Sequence, residues 1–289
     1  MKKLITMFLV FVMLFAFSAV VMADDVQTTP VTLNWITARR AFGQNEIYGS
    51  FYEIPDFDMD IWVPDFLVPQ EDIPADCAYI FTNSDKTASI IAHRVRIEGD
   101  TSLDAIEQLV SELGGVSDGF FWINGYKALI YETEADDSVS VVIPFDDGDV
   151  IEFVFTPMSN ADYYSLFSLV MSTIQPHTLT VEDIALMIDA DMLSTWGQNR
   201  DVRFTDDENE TVISIHMWED GITSETIGNV TNWDEVRDDR INTYNMYATV
   251  LEELGRSDID LSLLYISPDE DVSFLTISNG EIVYDVAED

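Results

Sequence analysis

Short strand-like segments joined by tight turns run through most of this chain, and they constrain its fold more than any other feature. Phe120–Ile123 is followed by Asn124-Gly125, a favoured two-residue hairpin turn, and then by Ala128–Glu132. Ser138–Pro144 leads through an acidic, glycine-containing turn into Val150–Thr156. Strands joined by such short turns pair in antiparallel fashion. The first half of the chain is therefore predicted to build an antiparallel sheet.

Two helices are predicted to accompany these strands within residues 30–176. Ser102 opens the first, whose apolar residues recur at steps of three and four: Leu103, Ile106, Leu109, Val110 and Leu113. The second begins at Asp162 and carries an apolar stripe: Tyr163, Leu166, Phe167, Val170, Met171 and Ile174. Such a stripe is more often core than binding groove, so we expect it to pack on the sheet. The proline in Gln175-Pro176-His177 predicts the end of this helix.

The rest of the chain is predicted to form a second, smaller α+β domain. Thr180 begins a helix over Val181–Leu193, and Asn232 caps a long helix over Trp233–Leu254 that is expected to cover one sheet face. A hairpin separates the helices, and a β-meander closes the domain: Val202–Thr205 and Thr211–Trp218, then Ile259–Ile266, Val272–Ser278 and Glu281–Val286. The predicted domains are residues 24–177 and 178–289, both of the α+β class.

Residues 1–23 have the pattern of a secretory signal peptide. Lys2-Lys3 precede an apolar run over residues 4–17, and small residues lead to Ala23. We expect export and cleavage after Ala23. A retained anchor is the alternative, because the apolar segment is about as long as a membrane-spanning helix. No later apolar stretch is long enough to span a bilayer, which predicts a secreted or cell-envelope protein.

The body of the chain is strongly acidic, with 54 Asp and Glu against 13 Lys and Arg in the whole sequence and a formal net charge of -41. Affinity for nucleic acid comes from Lys and Arg that displace counterions, so nucleic acid is excluded as a partner and anionic lipid is disfavoured. A cationic or neutral protein or envelope ligand is expected, with weak divalent-cation association. The 47% hydrophobic content excludes a disordered chain.

The order of elements resembles the PsbP-like fold over about residues 46–176. Four early strands precede the first helix, the antiparallel strands and the closing helix: Glu46–Ile54, Ile61–Val68, Ala78–Thr82 and Thr87–Ile97. Trp62-Val63-Pro64, Asn124-Gly125 and Ile174 add to the resemblance. This family includes extrinsic photosystem subunits, bacterial envelope proteins and a eukaryotic Ran-binding protein. The resemblance implies a mostly non-enzymatic binding or assembly role, and no motif allows a functional residue to be carried over.

The acidic segments raise the question of a metal site. The candidates are five aspartates: Asp56, Asp58, Asp60, Asp269 and Asp271. The first three alternate along a predicted extended segment, like the opening of an EF-hand loop. The sixth loop position is Ile61 instead of glycine and the twelfth is Leu67 instead of glutamate, so a solvated strand face is favoured. The last two are interpreted as turn residues. Weak cation association is the most they predict, and no cofactor is expected.

No catalytic motif is recognisable. Cys77 lies in an apolar strand-like run without a local basic residue, so a buried structural thiol is favoured over a nucleophile. His216 and Trp218 fall on the opposite face of their predicted strand from its buried set, Ile213, Ile215 and Met217. The sequence contains no nucleophile elbow, zinc-binding His-Glu-x-x-His segment or phosphate-binding glycine loop.

Two functions from different classes remain as expectations. The first is a secreted, acidic, non-catalytic binding or accessory protein. The second is a secreted hydrolase, similar to a glycosidase, that acts through paired carboxylates, because two well-placed acids suffice for that chemistry. A cleft that holds two acids with perturbed pKa values would favour the hydrolase. An exposed apolar patch without such a cleft would favour the binding protein.

Overall fold

The structure is a computed structural model that describes residues 32–55, 57–145, 148–207, 210–230, 232–270 and 272–287. The predicted signal peptide therefore lies outside the described residues. The chain divides into two compact units, with the boundary between Thr178 and Leu179. Among the described residues, no helix combines the length and apolar character needed to cross a membrane.

Within its described residues, the N-terminal unit contains three α-helices and eleven strands. The helices are α1 (Trp35–Gln44), α2 (Leu103–Glu112) and α3 (Ala161–Met171). The strands are β1 (Thr32–Leu33), β2 (Gly49–Ile54), β3 (Met59–Pro64), β4 (Val68–Pro69), β5 (Cys77–Thr82), β6 (Ser89–Arg96), β7 (Val116–Ile123), β8 (Tyr126–Thr133), β9 (Ser138–Pro144), β10 (Asp149–Thr156) and β11 (Gln175–Pro176).

These strands form two sheets. An eight-stranded sheet has the order β1-β7-β8-β9-β10-β6-β5-β4, and a three-stranded sheet has the order β11-β3-β2. Every neighbouring pair is antiparallel except β1 and β7, which run parallel. The prediction of an α+β fold built on an antiparallel sheet is confirmed, and the short parallel edge pair was not foreseen.

The helices bury their apolar faces against these sheets. Helix α2 begins where Ser102 accepts a hydrogen bond from the Ala105 backbone N–H, as predicted. Its apolar face joins strand residues in one buried cluster: Leu103, Ile106, Val110, Leu129, Val142 and Val150. Helix α3 brings Phe167 within 5.6 Å of Phe155 on β10, measured between ring centres. The predicted packing of the closing helix on the sheet is therefore confirmed, and α2 packs on the sheet as well.

Two predictions for this unit were wrong. A third helix, α1, follows Asn34, whose side chain accepts a hydrogen bond from the Thr37 backbone N–H. The closing helix ends at Met171 instead of at the proline, and Gln175–Pro176 form the short strand β11 beside β3. Proline fits there because an edge strand does not need every backbone N–H for the ladder.

The part of the C-terminal unit that the structure describes contains two α-helices and one five-stranded sheet. Its elements are α4 (Val181–Trp196), β12 (Arg200–Asp206), β13 (Thr211–Met217), α5 (Trp233–Glu253), β14 (Asp260–Ser267), β15 (Val272–Ser278) and β16 (Glu281–Asp285). The strands follow one another in sequence order across the sheet. The predicted closing meander, β14-β15-β16, is confirmed. Strands β13 and β14 are parallel, because the chain crosses over through α5 between them.

The predicted caps of the two C-terminal helices differ in outcome. Thr180 and Asp183 form a reciprocal capping box at the start of α4. Asn232 occupies the N-cap position of α5, but its side-chain amide donates to the Glu235 carboxylate and caps no backbone N–H. The position was predicted correctly and the capping interaction was not.

Alternation along the strands divides the C-terminal sheet into a covered face and an open face. Helix α4 contacts β12 and β13, and α5 contacts β14 and β15. The residues beneath them are fully or almost fully buried: Ile213, Ile215, Met217, Leu261, Leu263 and Tyr265. Their strand neighbours point the other way and are half-buried: Ser214, His216, Ser262 and Leu264. No described element of this unit covers that second face, which we call the open face.

Candidate functional site

A groove of about 460 Å³ lies at one end of the open face. Six residues give it its chemical character: Asp201, Arg203, His216, Trp218, Leu264 and Ile266. Register explains why they meet, because Asp201 pairs with His216 across β12 and β13, and His216 pairs with Leu264 across β13 and β14. Directly opposed residues share a sheet face. The groove is therefore a product of strand pairing, which brings together residues as distant in sequence as Asp201 and Leu264, 63 positions apart.

The two arginines of the groove are both paired with carboxylates. The Arg203 Nε atom donates to the Asp201 carboxylate at 2.6 Å, and both side chains are exposed. Arg200 is almost buried and donates to the Asp189 carboxylate at 2.8 Å and to two backbone carbonyl oxygens. Each positive charge is matched by a negative one. The groove is close to neutral in a chain that is otherwise strongly anionic.

His216 contributes an uncharged imidazole to this groove. Partial burial and the nearby Arg203 guanidinium lower the pKa of His216, while Asp201 acts weakly in the opposite direction. Since its ordinary value is already 6.5, the ring is neutral at pH 7. The predicted placement of His216 and Trp218 on the opposite face from Ile213, Ile215 and Met217 is confirmed.

One rim of the groove is the turn between β14 and β15. A bulge between Tyr265 and Ile266 shifts the strand register just before this turn. The Glu270 carboxylate then accepts hydrogen bonds from the Ser224 backbone N–H at 2.6 Å and from the Ser224 hydroxyl at 3.1 Å. These bonds fasten the rim to the segment between β13 and α5. Asp269, a predicted candidate for cation association, is an exposed residue of the same turn.

Asp58 and Asp60, two members of the predicted acidic triplet, do not share an extended strand face. Asp58 has a φ of +45° and lies in the turn between β2 and β3, whereas Asp60 belongs to β3. The Asp60 carboxylate lies 2.9 Å from Nδ1 of His177. The backbone N–H of His177 also donates to the Asp58 carbonyl oxygen. The Asp60 hydrogen bond is the main cause that raises the pKa of His177.

The other predicted cation candidates, Asp56 and Asp271, lie outside the described residues. Within the part of the chain that the structure describes, no group of three or more His, Cys, Asp or Glu side chains is arranged to hold a metal ion. The pairing of His177 with Asp60 joins residues 117 positions apart, so no local sequence pattern could have indicated it.

A pair of acids lies on the eight-stranded sheet near helix α3. A bulge in β7 places Asp118 beside Glu132 of β8. Partial burial and then the Glu132 carboxylate raise the pKa of Asp118 to about 6. Partial burial is the main cause that raises the pKa of Tyr164 on α3, and Glu132 and Asp118 add to it. Asp118 is exposed overall, so solvent screens its interaction with the Glu132 carboxylate.

Cys77 is buried, as predicted, but it does have a basic neighbour. Its sulfur lies 3.5 Å from Nδ1 of His93, which pairs with it across β5 and β6. Burial and the Asp76 carboxylate raise the pKa of the Cys77 thiol. A thiol held in its neutral form is a poor nucleophile. The contact with His93 therefore gives no reactive centre.

Comparison with known proteins gives matches to solved structures only. No protein-family model matches the chain. No curated protein matches it either. The chain is similar to cyanobacterial PsbP (CyanoP) from Synechocystis sp. PCC 6803, with 15% identity over 44% of this chain and 91% of that one and a TM-score of 0.32.

Two further structures are similar to this chain. The Ran-binding protein Mog1p from Saccharomyces cerevisiae has 14% identity over 44% of this chain and 93% of that one, with a TM-score of 0.31. A protein from Bacteroides thetaiotaomicron has 12% identity over 81% of this chain and 88% of that one, with a TM-score of 0.31. The resemblance to PsbP-like proteins predicted from the sequence thus recurs among solved structures, as a likeness of fold alone.

Proposed function

We propose that this chain is an exported, acidic, non-catalytic binding or accessory protein that holds its ligand in the groove of the C-terminal sheet. The observation that carries the proposal is the groove itself. Its volume of about 460 Å³ falls in the range of small-molecule sites, and it combines an apolar surface with a few fixed polar groups. Export is supported by the signal-like pattern of residues 1–23.

The polar groups of the groove suit binding better than catalysis. Asp201 is an ion-pair partner of Arg203, and partial burial and Arg203 depress the pKa of His216. A general base works best with a pKa near the working pH, and a glycosidase needs two carboxyl groups that face one bond. Of the described residues that line this groove, Asp201 alone carries a carboxylate.

An affinity capture with matched baits tests this proposal. Mature chain, residues 24–289, is immobilised and exposed to host envelope extract and medium at low and high salt. The Trp218→Ala bait removes the groove indole, and the Trp122→Ala bait removes a 41% exposed indole of the other unit. We expect wild type and Trp122→Ala to retain the same component and Trp218→Ala to lose it. Equal retention by all three baits, or no retention in either buffer, would overturn the proposal.

The hydrolase alternative is favoured by one observation, the Asp118 and Glu132 pair. A carboxyl group with a raised pKa beside a second carboxylate is the arrangement a glycosidase uses for its acid and its nucleophile or base. The test is release of reducing ends from a panel of polysaccharides. Activity in the wild type that disappears in both Asp118→Asn and Glu132→Gln would support the hydrolase over the binding protein.

A further inference from the structure

We infer that the groove ligand is a neutral carbohydrate, that is, an uncharged ring with several hydroxyl groups. This inference rests on the proposed function and names the chemical class that the groove would take. Four properties of the groove carry it: its charge balance, its paired donor and acceptor, its neutral imidazole and its apolar side.

Charge balance is the first argument. An anionic ligand would meet Arg203, but this guanidinium is already neutralised by Asp201 within a chain of net charge -41. A cationic ligand would be drawn to the chain as a whole, but at the groove it would meet Asp201, whose carboxylate is already paired with Arg203. Desolvating an ion without a matched partner is costly, whereas a neutral ligand avoids that cost. The groove therefore favours an uncharged occupant.

The ion pair of Asp201 and Arg203 is suited to hydroxyl groups. The hydrogen bond between these two residues uses one donor of the guanidinium group, Nε, and one oxygen of the Asp201 carboxylate. The remaining guanidinium N–H groups can donate and the second carboxylate oxygen can accept. A hydroxyl group both donates and accepts, so two adjacent hydroxyls can use both partners at once. Hydrogen bonds to charged groups are also the stronger ones.

The imidazole of His216 extends this pattern across the sheet. A neutral histidine offers one donor nitrogen and one acceptor nitrogen, which again matches a hydroxyl group better than an ion. Partial burial and Arg203 hold the ring in that form by lowering its pKa. The polar groups of the groove thus supply donors and acceptors together, with no excess of either charge.

Trp218 and its apolar neighbours provide the other half of the site. Trp218 follows β13 on the same face as His216, and its backbone N–H donates to the Asn199 carbonyl oxygen, which continues the pairing with β12. Leu264 and Ile266 lie on the next strand. An indole is a broad, rigid surface with a polar edge. It can cover the C–H face of a sugar ring while the hydroxyls at the ring edge reach Asp201, Arg203 and His216.

Titration of the full mature chain tests the ligand class. Nitrogen-15-labelled protein is titrated with neutral hexasaccharides (cellohexaose, xylohexaose, mannohexaose and maltohexaose), with anionic oligogalacturonate and with cationic chitosan oligomers. The readouts are the six tryptophan indole signals, assigned with Trp218→Phe, and calorimetry. We expect at least one neutral probe to shift the Trp218 indole, with a dissociation constant at least tenfold lower than for either charged probe.

Variants separate the groove from the rest of the chain. Trp218→Ala should weaken binding of that probe at least tenfold, Asp201→Asn severalfold, and Trp122→Ala not at all. The Asp201 side chain is exposed, and asparagine keeps its shape. Asp201→Asn therefore remains informative if Trp218→Ala fails to fold. If no neutral probe shifts Trp218, or a charged probe binds as tightly, the inference is wrong.

The failure of this inference is distinguishable from failure of the proposed function. Capture that depends on Trp218, without binding of any neutral hexasaccharide, would overturn the ligand class and leave the binding groove in place. If the wild-type and Trp218→Ala baits retain the same component equally, the groove is not the binding site, and both proposals are wrong.

Discussion

The guanidinium carbon of Arg240 on α5 lies 4.1 Å from the ring centre of Trp196 on α4. The same carbon lies 4.7 Å from the ring centre of Tyr265 on β14, and the Arg240 side chain is only 2% exposed. Its nitrogens donate to Glu219 and Asp239. One buried cation thus joins both helices of the C-terminal unit to the sheet beneath them.

We predict that Arg240→Ala lowers the free energy of unfolding by about 3 kcal/mol, because the planar stack and the buried volume are both lost. Arg240→Lys keeps the charge but not the planar group, and we expect it to cost about 1–2 kcal/mol. Urea denaturation measures both. Arg203→Ala, an exposed arginine on the same sheet, serves as the control and should change stability by less than about 0.5 kcal/mol. A lysine variant as damaging as the alanine variant would contradict the stacking argument.

Two Asn-Gly hairpins allow a matched test of buried hydrogen bonds. Asn124 and Asn279 have nearly the same φ, +44° and +48°, but only Asn124 is buried. Its side-chain amide donates to the carbonyl oxygens of Ser172 and Ile174 at 2.9 and 2.7 Å. Asn124→Ala should cost about 3 kcal/mol and Asn279→Ala about 1 kcal/mol, since the left-handed backbone penalises alanine at both positions. Equal losses on urea denaturation would show that the buried bonds add nothing.

His177 and His216 should titrate in opposite directions from the ordinary value of 6.5. The pKa of His177 is raised by Asp60, so its contribution to stability is full below about 6.5 and is lost as pH rises through the folded value. The pKa of His216 is lowered, so the fold loses stability as pH falls from about 6.5 through the folded value. NMR titration of the ring protons measures both midpoints.

The Asp60→Asn variant is the control for this titration. It should bring the His177 midpoint down and leave the His216 midpoint where it was, because Asp60 is the main cause of the first shift. If the His177 midpoint does not move, its raised pKa has another origin. Stability effects should be small, since the His177 side chain is 47% exposed.

The ionised Asp118 carboxylate should lower the free energy of unfolding at neutral pH. Its folded pKa of about 6 lies above its ordinary value of 3.8, so wild-type stability falls as pH rises between those values and then levels off. Asp118→Asn imitates the protonated form and should remove that fall. We expect a gain of about 1 kcal/mol at pH 7, kept modest by solvent screening, and no gain at pH 3.5. Thermal melts at both pH values would show the difference; a variant less stable than wild type at pH 7 would contradict it.

Local sequence patterns correctly predicted those elements that depend on residues close together in the chain. The Asn124-Gly125 hairpin, the start of α2 at Ser102 and the closing meander all follow from turn, cap and alternation signals within about ten residues. Helix α1 was missed although its signal was present. Asn34 precedes apolar residues at helical spacing: Trp35, Ile36, Ala38, Ala41 and Phe42.

Only part of the candidate site could be predicted from local sequence patterns. Alternation on β13 placed His216 and Trp218 on one face correctly. Their meeting with Asp201, Arg203 and Leu264 required the register of three strands, which one sequence does not define. The same limit applies to His177 with Asp60 and to Arg240 with Trp196. Each of these pairs is made by tertiary packing, so its members have no characteristic spacing along the chain.

The strict alternation of β13 has a consequence for how this protein can change. Ile213, Ile215 and Met217 are committed to the core, whereas Ser214, His216 and Trp218 lie on the other face, where His216 and Trp218 line the groove. Substitutions at the second set can alter what the groove recognises without weakening the fold, and the two sets interleave within six consecutive residues. In a saturation library of residues 213–218, substitutions that lower protein abundance should fall on every second residue. Substitutions that lower ligand retention should fall on the residues between them.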